Sequence, residues 1–288
     1  MAWKKRKNSR RRRRFSYRFK LLCIGAAGVA ALGVGIGIAA ALLTGTDSPQ
    51  AGPVSAASAE PEPDPGIIVA IDPGHGGTDL GAEGYLTESD VTAWTAEALY
   101  QLLEEDERFT PVLTKEYEDY ASVDDRAQAV NAMEAELLIS IHCNSDVYDS
   151  SSGFECYALP PSWEGHEESV RLAQSIVSAV SGSTDLRIRG ETGVRYMYFS
   201  VAGDRQVADF SDQTVYGAET FGLLDRVDCP AVLIEQFFVT SSEDNRLFGS
   251  QKGCAKLAQC YYDGICDFLG LDEEEEVSEN QSEGASEE

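Results

Sequence analysis

Histidine is scarce in this 288-residue chain, with three in all, at positions 75, 142 and 166. No acid precedes Asp47, and beyond Lys20 cations are few. Eleven of the 23 Lys and Arg crowd into the head (Lys4, Lys5, Arg6, Lys7, Arg10 to Arg14, Arg18 and Lys20), so the rest carries 12 against all 49 acids, a net of −37. Such a surface repels nucleic acid and anionic lipid, because phosphate recognition needs clustered cations. The substrate is then expected to be neutral, zwitterionic or held through a metal. None of the seven cysteines (23, 143, 156, 229, 254, 260, 266) shows C-x-x-C spacing. The last three recur every six residues, which spreads them around a helix instead of gathering them as ligands. Buried free thiols are expected, although an exported compartment would permit disulfides. There are no internal repeats and no second folded module.

The basic head at 1–20 is followed at once by Leu21 to Leu43, 23 residues without a charge. A run of that length can cross a ~30 Å hydrocarbon core as a helix. A flanking Lys/Arg cluster holds that end in the cytoplasm, so the head reads as a topogenic flank with some attraction to anionic lipid. One N-terminal transmembrane helix is therefore expected. The competing reading is a signal peptide, whose apolar core runs only ~7–15 residues; Ala57-Ser58-Ala59 has the form of a cleavage site but lies well beyond the apolar run. Residues 44–65, rich in Gly, Ser, Ala, Pro and acids, read as a flexible linker. Residues 272–288 read as an acidic, solvated tail.

The folded domain is then 66–271. Ile67 to Ile71, Leu137 to Ile141 and Ala231 to Ile234 are short apolar runs, the signature of strands buried on both faces. Thr110 to Leu113 and Gly153 to Leu159 add further strands. Helical spacing runs through Glu88 to Glu105 and Glu167 to Val180, and Ser242 to Leu269 contains a long helix. Ser122 to Ala135 is a helix with Ser122 as its N-cap. This alternation predicts an α/β class with a largely parallel sheet flanked by helices.

His75, in Ile71-Asp72-Pro73-Gly74-His75-Gly76-Gly77, directly follows the first strand. His142, in Ser140-Ile141-His142-Cys143-Asn144, directly follows the strand Leu137 to Ile141. Residues just past the carboxyl ends of strands converge on the functional crevice of open α/β sheets. Glu88 opens a helix, from which its carboxylate can reach a metal held by both imidazoles. Two His and one carboxylate leave a tetrahedral position open, the pattern of catalytic zinc. Glu235 ends the strand from Ala231 and enters the same crevice. Each residue has a plainer reading. A lone His after a strand is ordinarily a loop residue, Glu88 complements a helix dipole, and Glu235 could pair with an Arg such as Arg126. Four together at strand ends of one sheet are less easily dismissed. His166, in an acidic stretch before a helix, reads as surface.

With these residues in place, the chain resembles the zinc-dependent N-acetylmuramoyl-L-alanine amidases of bacterial cell walls. The likeness rests on Ile71 to Gly77 with Asp79, Gly81 and Ala82, then Glu88, Arg126 to Asn131, Ser140 to Asn144, Arg189-Gly190 and Pro230 to Glu235, in that order. It implies a twisted, mostly parallel six-stranded sheet flanked by helices. It also implies zinc on His75, Glu88 and His142, and Glu235 as the catalytic glutamate. The implied reaction cuts the amide between N-acetylmuramic acid and L-alanine in peptidoglycan. With the expected anchor, the catalytic domain would face the wall from a bacterial membrane, or be secreted if the leader is cleaved. Three departures stand out: Gln236, Phe237 and Phe238 follow Glu235 where a Gly and an aromatic are usual; no Asn lies in Val239 to Ser242; and extra residues, roughly 196–216, are expected to form a loop at the site rim. Too little chain separates Ala82 from Glu88 for the inhibitory helix of some relatives. A homologue that binds wall without turnover and a zinc peptidase cutting another bond are the alternatives.

Overall fold

A computed structural model describes residues 66–200 and 202–271. The proposed head, membrane helix, linker and acidic tail lie outside the described residues; among those described, no helix is long and apolar enough to cross a membrane.

The elements alternate as the apolar runs require. β1 (Ile67–Pro73) leads to α1 (Glu88–Glu104), β2 (Phe109–Leu113), α2 (Val123–Ala132), β3 (Leu137–Asn144) and β4 (Glu155–Tyr157). Then come α3 (His166–Ser183), β5 (Val194–Phe199), β6 (Arg205–Asp209), α4 (Gly222–Arg226), β7 (Ala231–Phe238), α5 (Ser242–Phe248) and α6 (Gln251–Leu269). Ser122 caps α2 through a reciprocal bond pattern with Asp125, as its sequence predicts.

The sheet has seven strands in the order β2-β1-β3-β7-β4-β5-β6, one more than the expected six. β2, β1, β3 and β7 are mutually parallel. β4 runs antiparallel to β7, and β6 antiparallel to β5. The additional strand comes from the segment expected to be a rim loop: residues 194–209 form a β5–β6 hairpin instead. Arg205-Gln206-Val207-Ala208-Asp209 carries almost no apolar pattern, and β6 is an edge strand made by pairing with β5. The stretch expected to contain a long helix holds the 19-residue α6 after the short α5, and Ser250 caps its start by accepting from the Gly253 amide at 3.1 Å.

One sheet face packs against α1, α3 and α6, where Leu99, Leu103, Ile176 and Tyr261 are fully buried. Burying each such side chain is worth about 1.5–3 kcal/mol. The other face is covered by the shorter α2 and α4, with Ala127, Val130, Leu223 and Leu224 against Leu138, Leu233 and Met197. Cys143, Cys156, Cys254, Cys260 and Cys266 are buried and Cys229 is half-buried, and none of them gathers into a ligand cluster, as the spacing predicts.

Candidate metal and catalytic centre

β1 and β3 are neighbours in register, so their carboxyl ends bring the two histidine positions side by side. A buried ion pair fixes the β1 end. Asp72, fully buried, accepts from Thr114 Oγ1 (2.6 Å), Ser140 Oγ (2.7 Å) and Arg126 Nη1 (3.2 Å). Arg126 also donates to the carbonyls of Pro73 and His75, each at 3.2 Å. Arg126 is therefore committed to the His75 turn and does not pair with Glu235. That turn holds His75 at φ 60°, a conformation non-glycine residues seldom adopt. Gly74 makes room for the other ring, since a Cβ there would lie 2.6 Å from His142 Cε1.

Glu88, the first residue of α1 and 4% exposed, closes the cluster. Its Oε1 lies 3.1 Å from His75 Nε2 and 3.2 Å from His142 Nδ1. The same oxygen accepts from the Cys143 amide at 2.9 Å, and Oε2 accepts from the Ala82 amide at 2.8 Å. One donor atom from each of His75, Glu88 and His142 falls within 4.8 Å of the others. Burial opposes ionisation of Glu88, but hydrogen bonds from His142 and His75 outweigh it and hold the carboxyl far below the usual range. Burial likewise works against a charge on His75, and Glu88 and then Asp79 reverse the balance and raise its pKa.

Asp79 received no separate role from the sequence, although it lies four residues past His75. Its Oδ2 sits 2.9 Å from His75 Nδ1, which points the Nε2 lone pair into the cluster when Nδ1 carries the proton. His166 stays apart: its Nδ1 lies 2.7 Å from the Leu159 carbonyl and its ring 5.7 Å from that of Tyr196. It is half-buried at the start of α3, not the surface residue its acidic neighbours suggest.

Glu235 is the β7 rung partner of His142 on one side and of Glu155 on the other. The register then shifts, so that Asn144 pairs with Phe238, a bulge directly beside the site. Glu235 Oε2 is sealed from solvent and has no hydrogen-bond partner. Burial, with the charges of Glu88 and Glu155, pushes its carboxyl well above the ordinary value. A carboxyl oxygen sealed without a partner is costly, and such a group beside the cluster is a candidate for a chemical role.

Glu155, which the sequence did not single out, is the opposite case. Its Oε2 takes Arg195 Nη1 at 2.7 Å and Arg189 Nε at 3.1 Å. Its Oε1 takes Asn144 Nδ2 at 2.7 Å and the Tyr157 hydroxyl at 3.1 Å. With every acceptor occupied, it commits both guanidiniums and leaves Glu235 free.

Fold and site together define a mixed α/β protein bearing the His, His, carboxylate donor set of catalytic zinc centres at its strand ends. The family model for N-acetylmuramoyl-L-alanine amidases matches residues 69–267, and the chain belongs to that family. It is 30% identical over 226 residues to a probable N-acetylmuramoyl-L-alanine amidase, AmiB, of Haemophilus influenzae, covering 70% of this chain and 52% of AmiB. It is 33% identical over 201 residues to the uncharacterised YqiI of Bacillus subtilis, covering 69% of this chain and 84% of YqiI. The chain thus spans about half the length of the first relative and most of the second. Among solved structures, an N-acetylmuramoyl-L-alanine amidase from Clostridium difficile 630 superposes with a TM-score of 0.58 at 25% identity, covering 72% of this chain and 98% of that one.

Proposed function

We propose that this protein is a zinc-dependent amidase that hydrolyses the bond between N-acetylmuramic acid and L-alanine in peptidoglycan. The observation that carries the proposal is the pairing of a three-donor cluster with the half-buried Glu235 one rung away, whose Oε2 is sealed and has no partner. His75, Glu88 and His142 suit zinc: both imidazoles face a single carboxylate oxygen, and an Asp79 carboxylate backs His75. Zinc held there would supply Lewis acidity to the scissile carbonyl and to water.

The chain's own groups account for the proton transfers. Glu235, free of any ion pair, takes the proton of the attacking water on its carboxylate and returns it to the departing alanine amine. The burial that raises its pKa favours the uptake half of that cycle. Glu155 holds Arg189 and Arg195 in its own ion pairs, so neither neutralises Glu235. The basic head and the charge-free run at 21–43 support a domain held on the outer side of a membrane, with 44–65 as its tether and 272–288 as an acidic tail.

The test is digestion of purified peptidoglycan by the zinc-loaded chain, with mass analysis of what is released. An amidase yields whole stem peptides with free alanine amino termini and no sugar. Cleavage inside the stem would make it a peptidase, and zinc-dependent binding without release a wall-binding homologue. Glu235→Gln should lose turnover while binding zinc normally; retained turnover would remove Glu235 from its role.

A further inference from the structure

The face of the sheet that carries His142 and Glu235 continues sideways. Side chains on paired rungs share a face, so Glu235, Glu155 and Tyr157, Arg195, and then Asp209, Val207 and Arg205 all lie on it. On its first half α2 and α4 cover this face. Along β6 it opens: Val207 is 38% exposed and Arg205 is exposed as well.

The cations on this open half differ sharply. Arg195 is neutralised twice, by Glu155 at 2.7 Å and Asp209 at 3.1 Å. Arg205 has no hydrogen bond from its guanidinium and no ion pair with any described residue, in a domain whose acids far outnumber its cations. Its backbone is nonetheless fixed. Its rung partner Phe199 packs on Phe221 with ring centroids 5.5 Å apart, and Phe221 on Tyr157 at 5.3 Å. Tyr157 in turn donates to Glu155, the rung partner of Glu235. The positive charge of Arg205 reaches the Glu235 carboxyl, where it works against the rise caused by burial, Glu88 and Glu155.

We propose that Arg205 binds a free carboxylate on the peptide side of the substrate, so that the β5–β6 hairpin forms the floor on which the stem peptide lies. This rests on the amidase reading, since an amide cleaved beside Glu235 leaves a sugar on one side and a peptide on the other. Stem peptides bear free carboxylates, and an acidic domain would repel them without a local cation. A guanidinium meets a carboxylate with two parallel hydrogen bonds, which fixes orientation as well as charge. The hairpin thus supplies binding and register, while proton transfer stays with Glu235.

The test uses the full chain loaded with zinc and, as probe, the tripeptide L-Ala-γ-D-Glu-L-Lys with its carboxyls all free or all amidated. Binding is measured by calorimetry for the wild type, Arg205→Gln and Arg205→Lys. The wild type should prefer the free acid by about tenfold, the size of one charge-assisted contact. Arg205→Gln should bind the free acid about tenfold more weakly and lose the preference, and Arg205→Lys should recover part of it. Because Arg205 is exposed, unchanged unfolding of the variants separates lost binding from lost fold. Wild-type and Gln variants with equal affinities, or a wild type indifferent to amidation, overturn the inference. Peptidoglycan turnover is scored alongside. Turnover with no Arg205-dependent preference leaves the amidase reading standing and removes this one. An Arg205-dependent preference without turnover does the reverse.

Discussion

Substituting Gly81 by Ala should cripple metal binding without touching a ligand. Gly81 lies between β1 and α1 at φ +66°, and a Cβ on it would sit 2.6 Å from Glu88 Oε2 and 2.6 Å from His75 Cδ2. Holding an alanine in that left-handed conformation costs about 1–2 kcal/mol. The clash falls on two side chains that cannot move independently: Glu88 Oε2 accepts from the Ala82 amide at 2.8 Å, and His75 is tied to Asp79 at 2.9 Å. Displacing the carboxylate from its buried amide costs about 1–3 kcal/mol more, for a total of about 2–5 kcal/mol. Zinc affinity should fall about 10–100-fold, the scale of disturbances to groups that orient ligands. Gly203→Ala is the control, because Gly203 also has positive φ (+84°) but nothing lies within 4 Å of a Cβ there. It should show backbone strain alone. Urea unfolding in chelator gives the stability terms and zinc titration by calorimetry gives the affinity. Zinc binding by Gly81→Ala as tight as by Gly203→Ala would refute the view that glycine there holds the His75–Glu88 geometry open.

Residues whose role is local were legible in the sequence. β1, β3 and β7 announce themselves as apolar runs, because parallel strands buried on both faces need no alternation. His75 and His142 follow from strand-end placement. Ser122 caps α2 through a motif of four consecutive residues. Glu155 was not legible, because the arginines that answer it lie 34 and 40 positions further on. In the sequence it is simply an acid inside a strand. β6 was hidden for a related reason. Its five residues are mostly polar, and only register against β5 makes them a strand. Glu235 stood between: its apolar strand marked it as needing a partner or a task. Only the structure shows that Arg126 is bound to Asp72, and Arg189 and Arg195 to Glu155, so that none of these three pairs with Glu235.

The remaining predictions probe those long-range ties. Asp79→Asn should weaken zinc binding about tenfold with little effect on unfolding, since Asp79 is only half-buried; unchanged affinity would deny it any orienting part. Glu155→Ala should cost about 3 kcal/mol, because two partly buried guanidiniums lose their carboxylate; a loss under about 1 kcal/mol in urea titrations would show that the pair is solvated, as exposed pairs are. Glu235→Gln bears on pH. Burial, then the charges of Glu88 and Glu155, raise the folded-state pKa of Glu235 above the ordinary 4.5. The folded metal-free protein then keeps a proton that the unfolded chain releases, so this group's contribution to stability falls as pH climbs from the unfolded value towards the folded one. Glutamine cannot ionise and escapes that loss. Below about pH 4 the two metal-free proteins should therefore differ by a constant amount, and above it the variant should gain steadily on the wild type. Urea midpoints across that range decide the matter. A gap that stays constant would mean that Glu235 titrates alike in both states, and so is not the sealed, unpaired acid that its role as proton carrier requires.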